Sequence, residues 1–154
     1  MKTRINLLII ALCAAFIFVG CDKNEDAPKV DNATKVVGEW HCVADEYDAD
    51  VYVAFYADAK FDEYQRLGEG RYRHYAGTWS MTKDVLSGVY ADGVEWGSSY
   101  KVSFDGDTMM LTANNDSAET MTYTKESIPT DVKDEAIEPL GPETLTRVDE
   151  VRWF

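Results

Sequence analysis

Between residues 36 and 125 apolar and polar side chains alternate with a period of two, and Tyr, Val, Phe, Thr and Trp occupy most of the apolar positions. That spacing marks half-buried strands, because helices repeat their apolar positions every three to four residues. In the first run, residues 36–45, Trp40, Cys42 and Ala44 share one face, and Glu39, His41 and Val43 the other. An acidic turn at 45–50 leads to Val51, Val53 and Phe55; a hairpin at 56–60 leads to Phe61 and Tyr64; residues 67–70 turn again. The long run 71–82 carries Tyr72 and His74 on one face, with Trp79 and Met81 further along. Gly77 in its middle fits a bulge or a bend, of the kind that closing a barrel requires. Four more runs follow, marked by Leu86 and Tyr90, by Tyr100 and Phe104, by Met109 and Leu111, and by Met121 and Tyr123, with turns between them. Every connection is short and no long crossover interrupts the order, so the pattern predicts an all-β fold: about eight antiparallel strands in an up-and-down barrel.

The alternation stops after Lys125. Thr130 can cap a short helix over 131–138, with Val132, Ala136 and Ile137 as its apolar face and Pro139 as its stop. Residues 126–154 are thus expected to form a C-terminal helix and a tail. Trp153 and Phe154 are expected to dock on the barrel wall or to cover an opening, since leaving them in water forfeits roughly 2 kcal/mol or more each; an extra edge strand is the alternative.

The N-terminus follows different rules. Lys2 and Arg4 precede an uninterrupted apolar run at 7–19, which suits a secretory signal and is short for a bilayer span. It ends in Phe18-Val19-Gly20-Cys21, which resembles the bacterial lipobox, where a small residue precedes the cysteine that receives lipid. The expected layout is a lipoprotein signal peptide at 1–20, lipidation at Cys21, a flexible acidic tether at 21–35, the barrel at 36–125 and the helix and tail at 126–154. Acyl chains at Cys21 would make the membrane the first partner, because each buried CH₂ contributes about 0.8 kcal/mol. The acidic run after Cys21 resembles the surface-export signal of Bacteroidetes lipoproteins, so the expected location is the bacterial outer membrane, facing the periplasm or the cell surface.

Charge narrows the partners. The chain has a formal charge of −13, and removing residues 1–20 takes away Lys2 and Arg4 and no acid, leaving 13 basic against 28 acidic residues, or −15. Nucleic acid is excluded as an expected partner, since no basic stripe is present to displace counterions from phosphates. With Cys13 in the signal and Cys21 committed to lipid, Cys42 has no intramolecular partner and reads as a buried, inert thiol.

Candidate chemistry is sparse. His41 is expected to face outward and His74 inward, so they do not converge on a metal. Residues 45–50 carry acids in a calcium-like spacing but lack the glycine and the final glutamate of such a loop. Glu63 is expected to face inward, but no partner carboxylate for glycoside hydrolysis can be named. A catalytic combination of Glu63 or Glu95 with His74 is the weakest of three readings, and no enzyme, cofactor or metal is expected. The aromatic supply is richer. Tyr72, Trp79, Tyr90, Trp96 and Tyr100 are the expected ligand-binding residues, suited to a small hydrophobic or sugar-like molecule, with Trp96 at a mouth. The competing reading is a barrel that fills itself with these rings and acts as a protein-interaction or inhibitor module.

Gly38-Glu39-Trp40, the segment VYVAFYADAKFDEY at 51–64, Gly77-Thr78-Trp79-Ser80-Met81 and Asp107-Thr108-Met109-Met110-Leu111 together resemble the lipocalin-like lipoproteins of Bacteroidetes, over residues 36–125. The resemblance implies a barrel sealed at one end by Trp40 after Gly38, with Lys125 as the basic residue across it, where arginine is the usual choice. It also implies a non-catalytic protein that holds its ligand at the other end.

Overall fold

The computed structural model describes residues 31–139 and 151–154. Eight strands form a closed antiparallel barrel in chain order: β1 (Gly38–Ala44), β2 (Ala49–Phe55), β3 (Lys60–Leu67), β4 (Arg73–Thr82), β5 (Val85–Tyr90), β6 (Tyr100–Asp105), β7 (Thr108–Ala113) and β8 (Thr120–Lys125). A five-residue helix, α1 (Asn32–Val36), precedes them, covering the end of the stretch expected to be tether and Val36, which was expected to open the first strand, and α2 (Thr130–Glu135) follows. The signal segment and Cys21 lie outside the described residues.

Alternation decides the inside. Ladder partners share a face, so the pairs Trp40↔Val53, Val53↔Glu63, Glu63↔Tyr75 and Gly77↔Tyr90 carry the inner surface around the wall. The inner cluster joins Trp40, Phe55, Phe61, Trp79, Leu86 and Met109 with residues of every other strand. Gly77 makes no bulge: it lies in unbroken register with Phe61 on one side and Tyr90 on the other. Its missing side chain leaves room for the Phe61 ring, which a Cβ would approach to 2.7 Å. Without a bulge the parity of β4 never switches, so Tyr75 and Trp79 point inward while His74 points outward, contrary to the expectation for His74.

One end of the barrel is sealed from within. Trp40 is 2 % exposed, donates its indole N–H to the Val36 carbonyl at 2.8 Å, and lies 5.9 Å from the Phe104 ring. Lys125 pairs with Trp40 in the β1–β8 ladder and brings its ammonium to 5.7 Å from the indole.

Outside, α2 covers β2 and β3. Ile128 and Val132 pack on Tyr52, Ala54 and Tyr64, and Glu39 accepts hydrogen bonds from the Ile128 amide (2.9 Å) and Lys133 (2.8 Å). The helix is shorter than expected and Thr130 does not cap it. Ile137 leaves the helix to pair with Arg73, exchanging hydrogen bonds with His74 N and Tyr72 O, and so occupies the edge of β4 that β5 does not reach.

The wall parts in two places, both toward the other end. β1 meets β8 through two pairs, Trp40↔Lys125 and His41↔Thr124. β5 meets β6 through two, Val85↔Lys101 and Leu86↔Tyr100. In the second gap the chain folds back on β5: Tyr90 N donates to Val94 O at 2.8 Å and Trp96 N to Gly88 O at 3.0 Å. This turns the Trp96 side chain inward over Gly88, where an added Cβ would stand 2.3 Å from the indole.

Candidate binding site

The unsealed end is a mouth lined by acceptors and rings. Successive inward positions of β3 place Glu63 and Gln65 there, 0 % and 2 % exposed, and the facing strands supply Tyr75, Tyr90, Tyr100 and Tyr123. Burying a carboxylate without a counter-ion disfavours its charge, and Glu63 is pushed up to about 8, with the Tyr90 hydroxyl bond and the charge of Arg152 only partly offsetting its desolvation. Burial likewise raises Tyr100 to about 12 and the Cys42 thiol to about 11, which leaves that thiol protonated and inert.

Residues 151–154 fill the mouth. They descend from Val151, 63 % exposed, to Phe154, 5 % exposed, and each is held by the barrel. Gln65 Nε2 donates to Val151 O at 2.6 Å. Arg152 donates to both carboxylate oxygens of Asp92 at 3.1 and 2.5 Å, which draws Asp92 down to about 2. The Trp153 indole N–H donates to the Tyr123 hydroxyl at 2.6 Å. The Phe154 amide donates to the Tyr90 hydroxyl at 3.3 Å, and that hydroxyl donates to Glu63 Oε2 at 3.3 Å. The Phe154 ring stacks on Trp96 at 4.3 Å and is surrounded by Phe55, Phe61, Tyr100 and Tyr123 at 5.7 to 6.5 Å. Among the described residues, Glu63 Oε1, Gln65 Oε1 and Trp96 Nε1 around this seat are buried and find no hydrogen-bond partner.

Of the residues expected to bind ligand, the fold brings Tyr90, Trp96 and Tyr100 together around Phe154. Trp79 faces inward but donates its N–H to Tyr56 O at 3.2 Å. Tyr72 belongs to the outer face: its hydroxyl donates to Asp50 at 2.7 Å and the Arg66 guanidinium lies 4.8 Å from its ring. The parity that misplaced His74 misplaced Tyr72 as well. Glu63 does face inward, but His74 stands on the opposite side of the wall between Asp62 (2.8 Å) and Glu138 (3.2 Å), so the two do not form a catalytic pair. His41 is held the same way by Asp50 and Glu126, at 2.8 and 2.9 Å. Sequence reasoning passed over Gln65, Tyr75, Asp92 and Arg152. Gln65 could have been found, because it shares the inward parity of Phe61 and Glu63; the Arg152–Asp92 pair spans 60 positions and has no local signal.

Two open grooves flank the mouth where the wall parts, each about 330 Å³. One, over the β5–β6 gap, is lined by Ser80, Ser87, Glu95, Trp96 and Ser98. The other, over the β1–β8 gap, is lined by Cys42, Val43, Tyr47, Glu119 and Met121. No protein-family model matches the chain, and no curated protein matches it.

Proposed function

We propose that the protein is a non-catalytic, lipocalin-like binding protein of the cell envelope, anchored by lipid at Cys21 to the bacterial outer membrane, which takes a small hydrophobic or glycan-derived ligand at the mouth. The observation that carries this reading is the seat of Phe154. The ring at the centre of the mouth's aromatic cluster comes from no strand of the barrel; it belongs to a short segment that lies in the mouth as a peptide lies in a binding site, over buried polar atoms it leaves unpaired. A ligand of similar shape would take the same rings and supply the missing hydrogen bonds. The N-terminal pattern supports the anchor, and the acidic run behind it supports the location.

Binding is tested with N-phenyl-1-naphthylamine, an uncharged aromatic probe that fluoresces when desolvated. Phe154→Ala in the full chain is expected to take up the probe with micromolar affinity. A folded variant with no enhancement argues for a barrel whose core serves structure alone. Anchoring is tested by metabolic labelling with an alkyne fatty acid, which Cys21→Ser should abolish.

A protein-interaction module is the second reading. It is favoured by the exposed apolar side chains of Val43 and Tyr47, 58 % and 51 % exposed, beside the groove over the β1–β8 gap. Crosslinking from that groove in cells, with loss of the product in Val43→Asp, would support it over ligand binding.

A further inference from the structure

Segment 151–154 brings more than an apolar ring to the mouth. Arg152 lies with its guanidinium carbon 4.6 Å from the Tyr90 ring centroid and 5.6 Å from that of Tyr75, and both of its terminal nitrogens reach Asp92. Two residues on, the Phe154 ring lies flat against Trp96. The mouth therefore holds a cation on two tyrosine faces and an aromatic ring below it, in fixed order.

The barrel groups that meet the guanidinium itself are of one electrical sign. Tyrosine faces carry the negative part of the ring quadrupole, and Asp92, drawn down to about 2, is a carboxylate. Arg73, opposite Gln65 in the ladder, is already engaged by its neighbours. A carboxylate placed where the guanidinium sits would meet Asp92 and two ring faces, all repelling it. The formal charge of −13 adds a field that draws cations to the molecule and turns anions away.

We infer that the mouth selects small organic cations, an amine or guanidine joined by a short linker to an aromatic body, with Tyr75, Tyr90 and Asp92 holding the cation and Trp96 and Tyr100 the ring. This rests on the reading of the mouth as the ligand site and adds the ligand's charge to it. Segment 151–154 is then a competitor within the chain, and ligand binding displaces it.

The test uses the full chain with Arg152→Ala and Phe154→Ala together, titrated by calorimetry with 4-phenylbutylamine, 4-phenylbutan-1-ol and 5-phenylpentanoate, which share a body and differ in charge. The amine should bind roughly tenfold tighter than the alcohol and tighter still than the acid. Adding Asp92→Asn should reduce the amine's advantage to about threefold. Equal binding of all three overturns the inference and leaves the binding reading standing; no binding to a folded variant overturns both. If the double variant does not fold, hydrogen exchange on the unaltered chain decides. The backbone amides of residues 152–154 should exchange faster with millimolar 4-phenylbutylamine and not with 5-phenylpentanoate; no change with either, or the same change with both, overturns the inference.

Discussion

The two ends of this barrel are both closed by aromatic side chains, yet they are closed in different ways. Trp40 belongs to a strand, finds its hydrogen-bond acceptor four residues away at Val36, and is fully satisfied. Phe154 belongs to no strand and reaches the barrel across the whole sequence; it covers a carboxyl group, an amide and an indole that each retain an unpaired atom. A plug built into the wall cannot leave without unfolding the wall. A plug delivered by a separate segment can leave with the barrel intact, at the cost of its own contacts alone. The difference marks one end as architecture and the other as the place where something can be exchanged.

That contrast predicts unequal penalties. Trp40→Ala should destabilise the barrel by about 3–5 kcal/mol, because the cavity it leaves is enclosed. Phe154→Ala should cost about half as much, because water can enter the vacated mouth. Urea unfolding of both variants measures the gap, and equal losses would erase the distinction between the ends.

The next effect comes from Glu63. Its carboxyl is raised from about 4.5 to about 8 in the folded protein, so between those values the unfolded chain releases a proton that the folded one retains. As far as this group is concerned, stability should therefore be highest and flat below about pH 4.5, fall as pH rises from there, and level off above pH 8, by an amount on the order of a few kcal/mol. Glu63→Gln should remove that slope and be the more stable protein at pH 8. A wild-type and variant pair with parallel pH profiles would show that Glu63 is not the strained group of the mouth.

Gly88→Ala should cost about 1–3 kcal/mol, as the new methyl meets the Trp96 indole and pushes it from its seat. Because Trp96 carries the Phe154 ring, the emission of the tryptophans should shift to the red and residues 152–154 should lose protection from exchange. The smallest effect is expected at the rim. Asp92→Asn breaks a half-exposed pair and should cost about 1 kcal/mol or less, seen as faster exchange at 152–154 with an unchanged unfolding midpoint for the barrel.

Most of the wall was legible in the chain because strand alternation is local. The parity of Trp40, Val53, Phe55, Tyr90, Tyr100 and Tyr123 follows from counting residues between turns, and all of these point inward. Within the wall, the misplaced side chains lie beside a single position. A glycine in mid-strand is compatible with a bulge, and a bulge would have exchanged the faces of β4; whether one forms depends on the neighbouring strand, which here needs the space above Gly77 for Phe61. Tyr72 and His74 went to the outside with that decision. The end of α2 is similar, since Ile137 leaves the helix for an unpaired strand edge that only the assembled sheet presents.

By itself the sequence determined the class of fold, the number and order of strands, the ring-rich interior and the aromatic end of the tail, because periodicity, turn chemistry and composition act over a few residues. The tertiary structure decided what the tail does. The gap between β5 and β6 admits Trp96, Trp96 offers a face to Phe154, and Asp92 meets Arg152 across 60 positions. Contacts between residues so far apart are set by the stagger of strands around a closed wall, which no local pattern encodes.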